Sequence, residues 1–221
     1  MQRKKAMIHI LSFDLDGTLV KSTFADAVWL EGLPRLYAQE KQTSLEHAKH
    51  LLYQEYDRIG ENRKEWYDIA WWFQRFHLHA SWEDLLCSYR KTIQVYPEVQ
   101  KTLQHLSHEY SLVVLSNAKK EFIEIQLEET KLEQYFTRTF SSISDFHAVK
   151  KSPQAYQKMC QSLNRNPQEL LHIGDHKEFD YHSPRTIGVE AYFLDRTGVD
   201  QGDTVLHTLH ELRAILEKKK R

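Results

Sequence analysis

The residues of this sequence whose types and spacing best fit chemistry are two aspartates two positions apart, Asp14 and Asp16. Residues two apart on an extended chain point the same way, so both carboxylates can face one site. A divalent cation or a shared proton would relieve their repulsion. Asp14 would then be suited to attack a phosphorus atom, and Asp16 to protonate the leaving oxygen and later deprotonate water. The alternative is an ordinary turn, in which Asp and Gly are common.

The segment that must position these acids is residues 8–20, IHILSFDLDGTLV. Its first six residues form a nearly continuous apolar run, which predicts a strand buried on both faces of a parallel sheet. The two aspartates follow where this strand leaves the sheet, at the edge where open α/β sheets bind ligands. Gly17 permits a sharp turn there. Thr18 offers a hydroxyl and a backbone N–H to an anion.

The sequence DLDGT at residues 14–18 resembles DxDGT, the first motif of the haloacid dehalogenase superfamily of phosphatases and related hydrolases. The resemblance predicts three further motifs downstream. The second falls at residues 112–117, a short apolar strand that ends in Ser116 and Asn117. In the family this hydroxyl, here Ser116, hydrogen-bonds the transferring phosphoryl group, and Asn117 is expected to orient the backbone or Asp14. Taken alone, a strand followed by Ser-Asn is also a common turn or helix cap.

The third motif is expected at residues 147–153, HAVKKSP, where the family places a lysine near a helix start, often as Lys-Pro-x-Pro. Pro153 matches the second proline, which assigns the role to Lys150. Lys151 stands where the first proline would be, so the choice between the two lysines stays open, and we favour Lys150. The chemistry needs a cation that keeps Asp14 ionised and balances phosphate charge. The alternative is a solvated lysine pair before a helix.

The fourth motif, GDxxxxD, matches residues 174–180, GDHKEFD, after another buried strand. The resemblance implies that Asp175 reaches the same metal as Asp14. It implies Asp180 either as a further ligand or as an acceptor for the lysine or a metal-bound water. The implied cofactor is Mg²⁺, bound by Asp14, the backbone carbonyl of Asp16 and Asp175.

Strands and helices alternate through residues 97–217, which predicts a doubly wound, mostly parallel, Rossmann-like α/β sheet. Residues 21–96 are instead rich in helix formers and predict an inserted all-helical cap of four helices, at about residues 22–39, 44–59, 63–77 and 82–94. An amphipathic helix over residues 205–216 is expected to close the chain. The expected domains are a core of residues 1–20 and 97–221 and a cap of residues 21–96. In the cap, a buried stripe is expected at Trp66, Ile69, Phe73 and Phe76. Three side chains off that stripe either face the cleft or belong to the cap core: Trp71, Trp72 and Arg75.

Composition limits the partners that we expect. The chain has 221 residues and a net charge of −1, so it has no basic field for nucleic acid or an anionic membrane. No apolar run approaches the length of a membrane span. Cys87 and Cys160 are too few for a disulfide framework, which predicts reduced thiols in a cytoplasmic protein. The expected partner is a small phosphorylated substrate.

The resemblance implies a Mg²⁺-dependent phosphohydrolase that forms an aspartyl-phosphate on Asp14 and then hydrolyses it. Family dehalogenases lack an acid at the position of Asp16, which argues against displacement of a halide. Two alternatives remain. One is a phosphomutase of the same superfamily, which would pass the phosphate to a sugar. The other is a catalytically silent binding protein that retains the fold.

Overall fold

Six parallel strands form one sheet in the computed structural model, which describes residues 7–220. Their order across the sheet is β3-β2-β1-β4-β5-β6. The strands are β1 (Ile10–Phe13), β2 (Ser111–Ser116), β3 (Arg138–Ser141), β4 (Leu170–Gly174), β5 (Glu190–Leu194) and β6 (Val205–Leu206). Helices separate successive strands from β1 to β5, as parallel connections require, and a loop of residues 195–204 joins β5 to β6. The predicted doubly wound α/β class is therefore confirmed.

The strand order reverses at β1, whose neighbours are β2 on one side and β4 on the other. Phe13, the last residue of β1, is aligned with Val114 in β2 and with Ile173 in β4. The three strands therefore finish at nearly the same level. Whatever follows them is brought together at the carboxyl edge, at the topological switch point where α/β sheets form their sites.

The segment between β1 and β2 is helical. Its α-helices are α1 (Thr23–Asp26), α2 (Leu33–Glu40), α3 (Leu45–Ile59), α4 (Ile69–Arg75) and α5 (Trp82–Tyr89). A π-helical turn, Ala27–Gly32, joins α1 to α2, and 3₁₀ turns occupy Lys64–Tyr67 and Arg90–Thr92. Side-chain caps start three of these helices, because the oxygens of Ser44, Asp68 and Ser81 accept the first free backbone N–H groups.

The remaining helices cover the sheet. They are α6 (Val99–Leu106), which precedes β2, and, after β2, α7 (Lys120–Thr130), α8 (Pro153–Leu163), α9 (Ser183–Arg185) and α10 (Glu211–Lys219). The two ends of the helical segment lie side by side, because Val20 and Val95 form an antiparallel bridge. The helical segment has its own apolar cluster around Trp72, Phe24 and Leu52, and Phe122 of α7 joins it.

Two details of the sequence-based expectation are wrong. The helix expected over residues 63–77 is broken at Asp68, which ends a 3₁₀ turn and caps α4. The helix expected over residues 205–216 is a two-residue strand, β6, followed by α10 from Glu211. Residues 1–6 and 221 of the predicted core bounds lie outside the described part of the chain.

Candidate active site

The tips of three neighbouring strands carry the predicted acids and hydroxyl. Asp14 follows β1, Ser116 ends β2 and Asp175 follows β4. One carboxylate oxygen from each of Asp14, Asp175 and Asp180 lies within 4.8 Å of the other two. A cavity of about 430 Å³ opens over these groups and reaches the helical segment. The sheet register explains the convergence, since the three strands end side by side.

The lysine that contacts the acids is Lys151, and this corrects the choice of Lys150. The Lys151 ammonium lies 2.5 Å from Asp14 Oδ1 and 2.5 Å from Asp180 Oδ1, and its side chain is 2% exposed. Lys150 points the other way and pairs with Glu61 of the helical segment at 2.6 Å. Matching Pro153 to the second proline of the family's third motif therefore assigned the lysine one residue too early.

Local backbone geometry explains the shift from Lys150 to Lys151. Lys150 has a φ of +71°, in the left-handed region. Ser152 then caps α8 by accepting the N–H of Ala155, and Pro153 fills the first helical turn. The change of chain direction at Lys150 points the Lys151 side chain into the protein and leaves the Lys150 side chain at the rim of the cavity.

Asp180 holds the lysine in place. Its Oδ1 also lies 3.1 Å from Nε2 of His172, and its Oδ2 accepts the backbone N–H of His176 at 3.0 Å. Gly174 is required beneath it, because a Cβ at that position would overlap the Asp180 carboxylate. With both oxygens engaged by protein groups, Asp180 serves better as an acceptor for Lys151 than as a metal ligand.

Charge pairing keeps Lys151 and Asp180 ionised although both are buried. Burial alone would raise the pKa of Asp180, but the Lys151 ammonium and then His172 outweigh it and hold the pKa well below its usual range. Burial would lower the pKa of Lys151, yet the carboxylates of Asp14 and Asp180 raise it. Burial lowers the pKa of His172, which lies in the core of β4 as expected from the sequence. The cluster thus holds a permanent cation against Asp14.

Asp16 has the environment of a general acid. Burial, and then the neighbouring charge of Asp14, raise its pKa to about 7. Its Oδ1 is buried and has no hydrogen-bond partner among the described residues. The amide of Gln126, on α7, lies near enough to lower this pKa slightly without reaching hydrogen-bond geometry. A carboxyl group with a pKa near neutrality can both give and take a proton at physiological pH.

Asp175 completes the acidic group, and it is the exposed member of the three. Burial against the site, then the charges of Asp14 and Asp180, raise its pKa to about 7. Carboxylates this close favour either protonation or a shared cation. Their hard oxygen donors suit Mg²⁺, so the residues present fit the metal that the sequence predicts.

The expectation that Thr18 offers its hydroxyl and N–H to an anion is wrong in this geometry. The Thr18 hydroxyl donates to Asp175 Oδ1 at 3.4 Å, and its N–H closes the turn onto the carbonyl of Leu15. Thr18 is fully buried and orients Asp175. Gly17 is tightly confined at the same turn, since a Cβ there would overlap the Asp175 carboxylate, and its φ is +78°.

Ser116 and Asn117 both line the cavity, as predicted. Ser116 Oγ accepts the N–H of Ala118 at 3.1 Å, which leaves its hydroxyl hydrogen available to a ligand. The Asn117 amide oxygen accepts a hydrogen bond from Ser142 at 3.1 Å. Ser116 is therefore oriented by the loop that follows β2, and Asn117 by the residue that follows β3.

Sequence reasoning missed Arg196, which follows β5. Its guanidinium donates to the carbonyl oxygens of Gly17 at 3.2 Å and Thr18 at 2.6 Å. It also pairs with Glu98 at 2.7 Å and lies 3.5 Å from the ring centre of Tyr96. This one side chain ties the first motif to the neighbouring loop. No motif marks it, because its partners are backbone atoms far away in sequence.

The helical segment supplies the opposite wall. Of the two alternatives left open for the side chains off the stripe, the cap core is confirmed for Trp72, which is fully buried, and for Trp71, which packs against the same apolar cluster, while Arg75 does not line the cavity. Trp66, placed on the stripe, does line it, because the break at Asp68 puts Trp66 outside the helix. The rest of the expected stripe, Ile69, Phe73 and Phe76, is buried as predicted.

The architecture, the four motifs and their convergence define a class, and sequence comparison agrees. The chain belongs to the haloacid dehalogenase-like hydrolases, whose family model matches residues 11–194. The prediction of a hydrolytic enzyme of this superfamily is therefore confirmed.

Individual relatives are more distant. The chain is 26% identical over 172 residues to pyrophosphatase PpaX from Bacillus thuringiensis (strain Al Hakam), which covers 76% of this chain and 74% of that protein. The crystal structure of a HAD phosphatase from Thermococcus onnurineus superposes with a TM-score of 0.81 at 27% identity, covering 95% of this chain and 98% of the other. A 2-haloacid dehalogenase from Pseudomonas syringae shares the fold, with a TM-score of 0.73 at 22% identity, covering 96% and 100%.

Within residues 7–220, the structure contains no helix long and apolar enough to cross a bilayer.

Proposed function

We propose that this hydrolase is a Mg²⁺-dependent phosphatase that acts on a small phosphorylated metabolite through an aspartyl-phosphate. The observation that carries the proposal is the group formed by Asp14, Asp175 and Asp180, held within 4.8 Å beside the Lys151 ammonium at a cavity. The similarity to a phosphatase and to pyrophosphatases supports phosphorus chemistry.

Asp14 is the proposed nucleophile. Lys151 binds its Oδ1, which fixes the carboxylate and leaves Oδ2 as the oxygen that attacks phosphorus. A carboxylate attacks only when ionised. Burial raises the pKa of Asp14, and the charge and hydrogen bond of Lys151 oppose that rise, so the lysine favours the ionised form that acts as nucleophile.

Asp16 is the proposed general acid and base. It protonates the leaving oxygen when the phosphoryl group moves to Asp14. The resulting carboxylate then takes a proton from the water that attacks the aspartyl-phosphate, which restores both residues. The pKa near 7 and the unpartnered Oδ1 support this role.

The remaining groups bind the phosphoryl oxygens and the cation. Ser116 and the Lys151 ammonium are proposed to hydrogen-bond the transferring group, and Asn117 to orient the loop around it. Asp14, the backbone carbonyl of Asp16 and Asp175 would hold Mg²⁺. When bound, the cation would neutralise charge on the phosphoryl oxygens.

We also propose the domain division expected from the sequence, a core of residues 1–20 and 97–221 with a cap of residues 21–96. The bridge between Val20 and Val95 supports these limits, because the chain passes from the core to the cap and back again at this bridge. Closure of such a segment would exclude water from the reaction. The cytoplasmic location expected from the two cysteines stays a proposal.

The test is hydrolysis of 4-nitrophenyl phosphate by the purified protein, with Mg²⁺ and after removal of metal by a chelator. We expect turnover that requires the metal and is abolished in Asp14→Asn, while Asp57→Asn on the exposed face of α3 retains it. Failure to hydrolyse the ester with any divalent metal would favour the silent binding protein. A second assay, product analysis with a sugar phosphate as substrate, tests the phosphomutase, which would release an isomerised sugar phosphate in place of free phosphate.

A further inference from the structure

The cavity wall is unusually aromatic. Besides the polar groups at the strand tips, six aromatic side chains line it, four from the helical segment and two from the core. They are Trp29, Tyr56, Trp66, Tyr67, Phe122 and Phe179. We call this set the aromatic wall. Planar apolar surfaces of this kind favour a flat apolar ligand group.

The rings of one half of the aromatic wall are held by each other. Trp29 lies parallel to Phe122, with 5.6 Å between ring centres and 2° between planes. Tyr56 meets Trp29 edge-on at 6.1 Å and donates its hydroxyl to the Trp29 carbonyl at 3.1 Å. The Tyr56 hydroxyl is therefore hydrogen-bonded within the protein, and this half of the aromatic wall presents mainly ring carbon atoms to the cavity.

The second half of the aromatic wall is also ordered by contacts. Trp66 and Tyr67 meet edge-on at 4.9 Å in the 3₁₀ turn before α4. Phe179 stacks on His176 at 4.1 Å, and the Lys150 ammonium lies 4.8 Å from the Phe179 ring centre. Rings fixed before binding lose little conformational entropy when a ligand ring packs against them.

The charges of the cavity do not suit a second phosphate. The described lining residues include six carboxylates and two ammonium groups: Asp14, Asp16, Asp26, Glu61, Asp175 and Asp180, against Lys119 and Lys151. The Lys119 ammonium is bound by Asp68 at 2.7 Å, and Lys151 is bound by two carboxylates. No unpaired ammonium therefore lines the described cavity to meet the far phosphate of pyrophosphate.

We propose that the site takes phosphate monoesters whose alcohol carries an aromatic ring, in preference to small aliphatic esters and to inorganic pyrophosphate. This proposal rests on the proposed phosphatase function and adds its substrate class. The phosphoryl group lies at the strand tips and the ring against the aromatic wall. A cavity of about 430 Å³ is in the range that holds a ligand of this size.

The experiment compares 2-phenylethyl phosphate, ethyl phosphate and pyrophosphate with the Mg²⁺-loaded wild-type protein. The first two release alcohols of similar acidity, so a difference between them reports binding of the ring rather than leaving-group chemistry. We expect kcat/KM to be roughly 10- to 100-fold higher for 2-phenylethyl phosphate than for ethyl phosphate, from burial of one ring. The kcat/KM for pyrophosphate should be lower than that for 2-phenylethyl phosphate.

The outcomes separate the two proposals. Equal kcat/KM for the two esters, or a preference for pyrophosphate, would overturn the aromatic substrate class and leave the phosphatase intact. Absence of hydrolysis of all three, in a protein whose circular dichroism shows it folded, would overturn the phosphatase and the substrate class with it.

Substitutions locate the effect on the aromatic wall. Trp66→Ala and Trp29→Ala should each lower the ratio of kcat/KM between 2-phenylethyl phosphate and ethyl phosphate, through a raised KM for the aromatic ester. The matched control is Trp71→Ala, a tryptophan of the same segment that contacts Arg75 and does not line the cavity. It should retain the wild-type ratio. An unchanged ratio in both folded wall variants would overturn the assignment.

Discussion

The two walls of the cleft are built on opposite principles. The core wall is mainly polar, and its most buried charged side chains are held by more than one partner, as Lys151 is by Asp14 and Asp180. The helical wall is mainly aromatic, and it is carried by irregular backbone: Trp29 lies in a π-helical turn and Trp66 in a 3₁₀ turn. The difference suggests a division of labour, in which strand tips provide fixed chemistry and irregular turns provide recognition.

This difference also has an energetic side. Removing one member of a buried charge cluster leaves the others unpaired, which costs about 3–5 kcal/mol. Removing one ring of an aromatic wall loses contact area that neighbouring rings partly replace. Substitutions on the core wall should therefore change catalysis and stability together, whereas those on the helical wall should chiefly change which substrate binds.

After loss of the proposed nucleophile Asp14, replacement of the proposed general acid should give the largest effect on the core wall. We expect Asp16→Asn to lower kcat by roughly 10²–10⁴, as for loss of a group that transfers protons. Steady-state kinetics on an alkyl phosphate, whose leaving oxygen needs protonation, measures this. Asp26→Asn, a carboxylate on the helical wall of the same cavity, should have a far smaller effect. Near-normal turnover by Asp16→Asn would remove the proposed role.

The two adjacent lysines offer the sharpest comparison of the walls. Lys151→Met should lower kcat by roughly 10²–10³, as for loss of one group that stabilises transition-state charge. Its melting temperature should also fall, because Asp14 and Asp180 lose their cation. Lys150→Met breaks the contacts with Glu61 and with the Phe179 ring but none with the acidic group, so it should retain most of the activity. If Lys150→Met were instead the inactive variant, the placement of the active-site lysine would be incorrect.

Arg196 tests whether backbone support contributes to the core wall. Arg196→Met should lower kcat by about tenfold, because a small displacement of the first motif misplaces Asp14 and Asp16. KM should change less than kcat, since Arg196 does not line the cavity. Arg185→Met removes an arginine that likewise packs on an aromatic ring, Tyr181, and is the matched control. Equal effects of the two substitutions would argue for a purely structural role.

The smallest effect is a pH dependence of stability in metal-free protein. The folded pKa of Asp16, about 7, lies above its ordinary value of 3.8, so the folded state binds this proton more tightly than the unfolded state. Stability from Asp16 is therefore greatest at low pH and is lost as pH rises toward and through 7. The Asp16→Asn variant does not lose this contribution as the pH rises, so its free energy of unfolding should increase relative to that of wild type from pH 5 to pH 8.

Chemical denaturation of wild type and Asp16→Asn between pH 5 and pH 8 measures the difference between their free energies of unfolding. His172 titrates in the opposite direction, but it is present in both proteins, so its contribution cancels in that difference. Asp57→Asn, on the exposed face of α3, should show no such trend. A constant difference between wild type and Asp16→Asn over this range would mean that Asp16 is not perturbed.

Much of the core wall was predictable from sequence, for a physical reason. An apolar run that ends in Asp or Ser marks the carboxyl end of a parallel strand, and sheet pairing then brings such ends together without further information. Asp14 was located in this way, whereas Ser116 and Asp175 were assigned by the resemblance to the family motifs, in which they follow similar apolar runs. Lys151 was not found, because the choice between adjacent lysines depends on the left-handed φ of Lys150, which no residue type there predicts.

The helical wall was less predictable. The 3.6-residue period places Trp66 on the buried stripe only if one helix runs through Asp68, and the cap at Asp68 breaks it. The π-helical turn that carries Trp29 has no sequence signal of its own. Arg196 escaped notice because its partners are carbonyl groups 178 and 179 residues away.

The central claim is that Asp14 forms the covalent intermediate, and trapping tests it most directly. Protein mixed with a phosphate ester and Mg²⁺ would be quenched in acid, digested and mapped by mass spectrometry. We expect phosphate on the peptide that contains Asp14, present in wild type, increased in Asp16→Asn for an ester whose leaving group needs no protonation, and absent in Asp14→Asn. Phosphate trapped on a different residue would contradict the assignment of Asp14 as the nucleophile.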